Sequence, residues 1–173
     1  MKILIDARLY GLENAGLGRY TMNLLSELLK IDRKNQYVVL LRKKYFDELT
    51  FPEDWKKVLV DIKHYSFAEQ ISLPKIIKKE NPDITHFVHF NIPVLFRDKF
   101  VVTIHDILMH KFAGLSATVL PAPIYFLKQI IYKWVFRSAI FNSQKIIVPS
   151  NEVKKEILEY FKVDEGKIKI IYE

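Results

Sequence analysis

Seven short apolar runs, separated by helix-like segments, constrain the fold of this chain more than any other feature of its sequence. Several of the runs are apolar at consecutive positions, which is typical of parallel strands covered on both faces. The predicted strands are residues 2–7, 37–41, 58–62, 84–88, 100–104, 145–148 and 167–171. The predicted helices are residues 18–31, 67–80, 118–142 and 151–161. This alternation predicts an α/β fold, a doubly wound and mainly parallel sheet of about seven strands with helices on both faces.

The composition favours one globular domain over residues 1–173, because 50% of the residues are hydrophobic and 27% are charged. The chain has no cysteine, which excludes disulfides, thiolate nucleophiles and cysteine-ligated zinc. Its first apolar run reaches Asp6 after three residues, which is too few for the core of a signal peptide. We therefore expect a cytoplasmic protein.

The net charge of +7 favours anionic partners, such as phosphates or an acidic lipid surface. The chain has no dense arginine and aromatic motif, so we predict no nucleic-acid partner. Basic clusters such as residues 42–44 are also compatible with solvated faces or element ends.

The predicted helix over residues 118–142 is the most hydrophobic stretch, but prolines and basic residues interrupt it too often for a transmembrane span. Its apolar side chains recur at helical spacing, and we predict that they face the core. These side chains are Ile124, Leu127, Ile130, Ile131, Trp134 and Val135. Lys128, Lys133 and Arg137 lie elsewhere on the helical wheel. The alternative is a helix that lies in the interface of an anionic membrane.

The predicted strand over residues 100–104 ends in His105 and Asp106. In open α/β sheets, ligands bind outside the carboxyl ends of the strands, so these two side chains are candidate catalytic residues. His89 and Asn91 are further candidates, because they begin a proline-bounded loop after another predicted strand.

The spacing of the histidines does not indicate a metal site. His86 and His89 are three residues apart, so in a continuous strand their side chains point to opposite faces and cannot chelate one ion. We therefore predict no metal site. For His64 and His110 we expect structural roles.

Gly16, Gly18 and Arg19 form a glycine-rich entry to the first predicted helix. Glycines at a helix start let backbone N–H groups approach a phosphate, whose negative charge the helix dipole favours. The segment is not a dinucleotide fingerprint, because Thr21 stands where the third glycine belongs and residues 8–15 intervene where a tight turn is needed. The alternative is that the glycines only shape a loop and a close contact between helix and sheet.

Four segments in series resemble the N-terminal, acceptor-side domain of family-4 retaining glycosyltransferases, which have two Rossmann-like domains in a GT-B fold. The segments are residues 2–6, 16–21, 103–106 and 146–150, and their order and spacing match the family across essentially the whole chain. The resemblance implies that this domain receives a glycan or lipid-linked acceptor, while a C-terminal domain holds the nucleotide-sugar donor. It also implies that no metal or other cofactor is required.

The resemblance implies roles for single residues as well. His105 matches the histidine that contacts the transferred sugar near the reaction centre, and Asp106 is its neighbour. Backbone amides at Gly16 and Gly18 would approach the donor diphosphate or an acceptor phosphate, and Arg19 would add positive charge there. The remaining candidate binding residues are His89, Asn91 and Ser150.

The family's donor-side motif is a pair of glutamates separated by seven residues in the second domain. Glu165 and Glu173 have this spacing, but they flank the last predicted strand of the present domain, so we treat them as a coincidence. We therefore expect the donor-binding domain to be absent from this chain. The chain is predicted to be the acceptor-binding half of a transferase, inactive alone and peripheral at the inner face of the cell membrane. The alternatives are a non-catalytic binding subunit or a peripheral membrane-binding module that needs a separate donor-domain partner.

Overall fold

A computed structural model describes residues 1–107 and 122–172, and this part of the chain forms one parallel sheet of seven strands. The strands are β1 (Lys2–Asp6), β2 (Gln36–Leu41), β3 (Trp55–Leu59), β4 (Ile84–Phe87), β5 (Phe100–Thr103), β6 (Lys145–Val148) and β7 (Ile168–Ile170). Their order across the sheet is β3-β2-β1-β4-β5-β6-β7. Every neighbouring pair is parallel. The predicted α/β class and doubly wound arrangement are confirmed.

In the described ranges, five α-helices connect or flank the strands. They are α1 (Ala15–Ile31), α2 (Lys43–Glu48), α3 (Phe67–Glu80), α4 (Ala122–Asn142) and α5 (Asn151–Tyr160). Helix α2 was not predicted, because six residues are too few for a helical period to show in the sequence. The first residues of the predicted helix over 118–142 lie outside the described residues, as do His110 and Glu173.

Capping residues mark the boundaries of α3 and α5. The Ser66 hydroxyl accepts a hydrogen bond from the Glu69 amide at 3.2 Å and begins α3. Asn81 ends that helix with a left-handed φ of 48°. The Ser150 hydroxyl caps α5 in the same way, accepting from the Val153 amide at 3.3 Å.

Strand β3 begins and ends earlier than the predicted range of 58–62. Its first residue, Trp55, is buried and stacks on Tyr37 of β2, with 4.2 Å between the ring centroids. The Lys57 ammonium donates to two backbone carbonyl oxygens at the end of α2, at 2.7 and 2.6 Å. These contacts between distant segments stabilise β3. Its two lysines interrupt the apolar run, so a hydrophobicity pattern does not identify the start of the strand.

The sheet separates two hydrophobic clusters, one on each face. Leu4 and Ile5 follow each other on β1, so their side chains point to opposite faces. Ile5 packs in the cluster that contains Leu25 of α1, and Leu4 packs in the cluster that contains residues of α3, α4 and α5. Helices therefore cover both faces, and each fully buried Leu, Ile or Phe contributes about 1.5–3 kcal/mol.

The prediction that the apolar side chains of α4 face the core is wrong for most of them. Val135 is buried, as predicted, but four of the others are exposed, with Trp134 at 67%. The exposed four are Leu127, Ile130, Ile131 and Trp134, and Ile124 lies outside the residues whose side chains are described. The buried face is formed by Tyr125, Val135, Phe136, Ala139 and Ile140. Because this helix is apolar on more than one side, its sequence period did not identify the side that packs.

In the part of the chain that the structure describes, no helix is long and apolar enough to cross a membrane.

The chain order reverses between the neighbouring strands β1 and β4. Strand β1 connects to β2 on one side of it, while β4 leads to β5 on the other. Such a reversal opens a crevice at the carboxyl ends of the strands, which is the usual ligand position in open α/β sheets. The residues that follow β1, β4 and β5 meet at this edge.

Candidate functional site

His105 lies at the carboxyl end of β5, where the sequence predicted a catalytic residue. Its Nε2 atom contacts the carbonyl oxygen of Val88 at 3.0 Å, which joins the ends of β5 and β4. The Tyr20 ring of α1 packs edge-on against the His105 ring, with 4.8 Å between the centroids. Asp106, which follows, is exposed. The His105 ring therefore has a defined orientation at the rim of the crevice.

His89 lies beside His105, at the carboxyl end of β4. Its Nε2 atom shares a hydrogen bond of 2.8 Å with the Tyr65 hydroxyl. Burial lowers the pKa of His89 to about 3, and the nearby His105 and His64 act in the same direction. His89 is therefore a neutral ring at physiological pH, able to donate one hydrogen bond and accept another.

A buried ionic cluster that the sequence analysis missed lies behind these histidines. Arg8 is 1% exposed and follows β1 directly. Its Nε and Nη2 atoms donate to the two carboxylate oxygens of Asp6, each at 2.7 Å. Nη2 also donates to Glu69 Oε1 of α3 at 2.7 Å. One guanidinium thus bridges two carboxylates, and such pairing is what makes a buried charge tolerable.

Both carboxylates of this cluster are ionised. Burial by itself would raise the pKa of Asp6 and of Glu69. The charge and hydrogen bonds of Arg8 outweigh it at Asp6, and the contact with His64, followed by Arg8, outweighs it at Glu69, so both pKa values lie below the usual range. His64 assists, with its Nδ1 atom 3.2 Å from Glu69 Oε1. His64, for which we expected a structural role, therefore lies against this carboxylate.

Glu69 connects the ionic cluster to the residues at the crevice. Its Oε2 atom accepts from the Asn91 side-chain amide at 2.7 Å and from the Tyr65 backbone amide at 2.8 Å. Tyr65 has a positive φ of 59°, a conformation that the second of these hydrogen bonds stabilises. Asn91 is thus buried behind the crevice, and Glu69 holds the residue whose hydroxyl contacts His89. Asp6 and Arg8 lie two residues apart at the end of the first strand, so their proximity can be read from the sequence. The sequence does not indicate that Glu69 on α3 is their partner.

His86 has a structural environment inside the sheet. Its Nε2 atom lies 2.9 Å from the Thr103 hydroxyl, which also lies 2.9 Å from the Tyr20 hydroxyl. Burial lowers its pKa to about 4, with a smaller contribution from His105. Among the described residues, no three His, Asp or Glu side chains form a group that could hold a metal ion.

The two glycines at the start of α1 have different surroundings. Gly18 is buried, and a Cβ there would overlap the carbonyl oxygen of Gly11, so its close contact with the preceding loop requires a glycine. Gly16 is exposed, with nothing within 4 Å of an added Cβ. Arg19 is also exposed. Tyr20 brings this first turn beside His105, so Gly16 and Arg19 lie on the same side of the sheet edge as the histidine.

Ser150 lies farther along the edge, at the carboxyl end of β6. Its hydroxyl is occupied by the capping bond to α5 described above. The predicted residues therefore divide into a central group around His105 and His89, the glycine-containing turn beside it, and Ser150 at two strands' distance from β4.

The known proteins that this chain resembles are glycosyltransferases. The model of Glycosyltransferase Family 4 matches residues 15–173. The chain is also similar to a glycosyltransferase from Rickettsia africae ESF-5, with a TM-score of 0.47 and 20% sequence identity over 99% of this chain and 42% of that chain. This chain thus spans less than half the length of that protein. The search of curated proteins found no significant match. Because the family model covers nearly all of its residues, the chain belongs to glycosyltransferase family 4.

Proposed function

We propose that this chain is the acceptor-binding half of a retaining glycosyltransferase, which transfers a sugar from a nucleotide-sugar to a lipid-linked or polysaccharide acceptor. The observation that supports this most is the meeting of His105, His89 and the Arg8 cluster at the edge where open α/β folds bind ligands. In this reaction the bond from the anomeric carbon to the diphosphate breaks. A bond to the acceptor oxygen forms on the same face of the sugar, and the proton of the acceptor hydroxyl passes to the departing nucleoside diphosphate.

His105 is suited to a position near the transferred sugar because its ring is held before any substrate binds. The Val88 carbonyl and the Tyr20 ring fix its orientation. A polar group that is already oriented stabilises developing charge without the entropy cost of ordering it during the reaction. Asp106 adds a carboxylate to the same edge, where it can accept hydrogen bonds from sugar hydroxyls.

The first turn of α1 is suited to the phosphates of the donor. Helix N-termini attract anions through their backbone N–H groups, and the side chain of Asn14, which precedes α1, makes no capping bond to them. Gly16 leaves open space at this turn, and the exposed Arg19 adds positive charge. A diphosphate bound there would lie next to His105, on the side that Tyr20 occupies.

The main donor site belongs, in this proposal, to a second Rossmann-like domain on another segment or chain. The present chain should then show no sugar transfer alone, because catalysis requires donor and acceptor to be held together. The test compares nucleotide-sugar turnover and product formation by the pure chain with those of the chain supplied with a family-4 donor domain. Transfer only in the combined enzyme supports the proposal. Robust transfer by the chain alone would overturn it, and acceptor binding without transfer in the combined enzyme would indicate a non-catalytic binding subunit.

Peripheral membrane binding is a second candidate function, which the exposed side of α4 favours. Its apolar residues include Leu127, Ile131 and Trp134, and the exposed Lys128 and Lys133 lie on the same helix. From residue 107 to residue 151 the sequence contains no Asp or Glu. An apolar face with basic neighbours and no acidic ones matches the chemistry of an anionic bilayer surface. Such attachment at the cytoplasmic face of a membrane would bring the crevice to a lipid-linked acceptor.

A further inference from the structure

A cavity lined mainly by residues that the assignments above do not use lies among the loops that follow β1, β2 and β3. Its volume is about 210 Å³. The side chains that matter for the argument are Tyr10, Glu13, Arg42, Lys44, Tyr45 and Asp61. Arg8 forms part of the wall and hydrogen-bonds to Glu69, so the cavity and the His89 region lie on either side of the ionic cluster. The volume is below the roughly 300–1,000 Å³ of sites for drug-sized ligands, which fits a single small ring.

The polar groups of the cavity alternate between donors and acceptors. The Tyr45 hydroxyl donates to Glu13 Oε2 at 2.7 Å, and the Lys44 ammonium donates to the Tyr45 hydroxyl at 3.1 Å. Arg42, which directly follows β2, donates from Nε to Asp61 Oδ1 beyond β3 at 3.0 Å. These groups are partly exposed. Exposed pairs of this kind contribute little to stability, so their hydrogen bonds can be shared with a ligand.

The positive charge of the cavity is balanced, although the sequence segment 42–44 is basic. Arg42 pairs with Asp61, and Lys44 lies 3.9 Å from the Glu13 carboxylate. The third cation, Lys43, pairs with Asp47 at 2.6 Å. Arg8 is neutralised by the two carboxylates described above. A site for phosphate or carboxylate needs uncompensated positive charge, and these ion pairs leave the cavity without it.

Two tyrosines and a glycine give the cavity a defined apolar wall. The rings of Tyr10 and Tyr45 pack edge to face, with 4.9 Å between their centroids. A Cβ at Gly11, whose φ is 117°, would overlap the Tyr45 hydroxyl, so only glycine lets this ring lie against the loop. Gly18 packs closely against the same loop, at the carbonyl oxygen of Gly11. The wall is therefore formed by packed residues and not by mobile side chains alone.

A neutral sugar ring has the chemistry that this lining complements. Each sugar hydroxyl donates and accepts, so it fits paired donors and acceptors, and the C–H faces of the ring fit aromatic walls. We infer that the cavity binds one neutral sugar unit of the acceptor, at a distance from the reacting hydroxyl. This inference rests on the proposed function, in which the chain binds a glycan-bearing acceptor, and it names the class of group that the acceptor presents to this cavity.

The experiment is an NMR titration of the full chain, labelled with ¹⁵N. The neutral probes are the methyl glycosides of glucose, galactose and mannose, and the anionic probes are glucuronate and inorganic phosphate. We expect at least one neutral probe to shift the amide signals of residues 10–14 and 42–45, with an affinity that high salt leaves unchanged, since screening acts only on charge. Asp61→Asn and Tyr45→Phe should each weaken binding by roughly tenfold, the usual effect of losing one good hydrogen bond.

Glu152→Gln is the matched control, because it also converts a carboxylate to an amide, at an exposed pair with Lys155, and neither of these residues lines the cavity. It should leave the affinity for the neutral probe unchanged. The inference is overturned if only the anionic probes bind, if no probe shifts these signals, or if Glu152→Gln weakens binding as much as Asp61→Asn.

The inference and the proposed function can fail separately. If the combined two-domain enzyme transfers sugar and Asp61→Asn leaves the acceptor KM unchanged, the cavity assignment falls while the proposed function stands. If the combined wild-type enzyme transfers no sugar, the proposed function falls whatever the titration shows.

Discussion

Arg8 and Glu69 are 61 residues apart in the sequence, yet Arg8 Nη2 donates to Glu69 Oε1 at 2.7 Å with both side chains buried. This bond ties the end of β1 to the start of α3. Glu69 in turn holds the Tyr65 amide and the Asn91 side chain, so one carboxylate joins three of the segments that form the candidate site. Its removal should therefore affect both stability and the geometry around His89.

Glu69→Gln should destabilise the domain by about 3–5 kcal/mol, because it leaves part of the charge of a buried arginine uncompensated. The free energy of unfolding is measured by urea denaturation with circular dichroism. Glu27→Gln is the matched control, since Glu27 pairs with Lys30 on an exposed helix face at the same distance of 2.7 Å. Its cost should stay below about 1 kcal/mol. Equal effects of the two substitutions would show that the buried cluster adds no stability of its own.

Stability should fall as the pH is lowered from 7 to 5. The pKa values of His86 and His89 lie at about 4 and about 3 in the folded chain, below the 6.5 of a free histidine. Below pH 6.5 the unfolded chain therefore binds protons that the folded chain does not, which favours unfolding. By pH 5 each histidine should cost up to about 2 kcal/mol. The lowered pKa values of Asp6 and Glu69 act in the same direction, and their contribution is lost only at more acidic pH.

The measurement is denaturant unfolding of the wild type and of His89→Asn at several pH values between 7 and 5. The variant lacks one of the two titrating rings, so its stability should depend on pH with about half the slope. A wild-type stability that is independent of pH in this range would mean that neither histidine is held neutral by burial.

His105→Ala should lower the activity of the combined two-domain enzyme by at least ~10²-fold, the usual scale for a positioned polar group. Its stability should change little, because the ring is only partly buried at the rim. His86→Ala is the reciprocal control. That ring is buried against Thr103, so its loss should lower the melting temperature. If His105→Ala loses much stability while its activity is unchanged, the role of His105 is structural and not catalytic.

Gly18→Ala and Gly16→Ala should have opposite effects on stability. A Cβ at Gly18 overlaps the Gly11 carbonyl oxygen, so the loop must move at a cost of roughly 1–3 kcal/mol. At Gly16 the new methyl group meets open space in a helical turn, where alanine stabilises by up to about 1 kcal/mol. Melting temperatures of the two variants test this. If the Gly16 amide contacts the donor diphosphate, Gly16→Ala should raise the donor KM of the combined enzyme without loss of stability. Equal melting temperatures for the two variants would contradict the close packing of Gly18.

The sequence predicts the parts of this fold that depend on local pattern. Consecutive apolar residues such as Val101 and Val102 identify buried strands, and the cap at Ser150 marks a helix start, because both signals act within a few residues. The ionic cluster was missed, since a charged residue such as Glu69 is normally exposed and nothing near it in sequence reveals its partner on β1.

The sequence pattern also does not identify which side of α4 packs against the sheet. Val135 and Trp134 are adjacent and both apolar, yet one is buried and the other exposed, and only the contact with the sheet decides between them. A helix with apolar residues on several sides fits the core equally well in more than one rotation. The exposed apolar side of α4 therefore does not contribute to the core of this domain.

The exposed apolar side of α4 should support weak, reversible binding to anionic vesicles. Each basic residue near such a surface contributes about 1 kcal/mol, which salt screens, so binding should be strongest at low salt. Trp134→Ser and Ile131→Ser should reduce co-sedimentation with acidic vesicles while leaving the melting temperature unchanged, because both side chains are more than half exposed. Phe67→Ser is the matched control, since its ring on α3 is 81% exposed and lies outside the α4 surface. Equal partitioning onto neutral vesicles, or none onto acidic vesicles at low salt, would defeat the membrane role, and an equal loss in Phe67→Ser would remove α4 as its site.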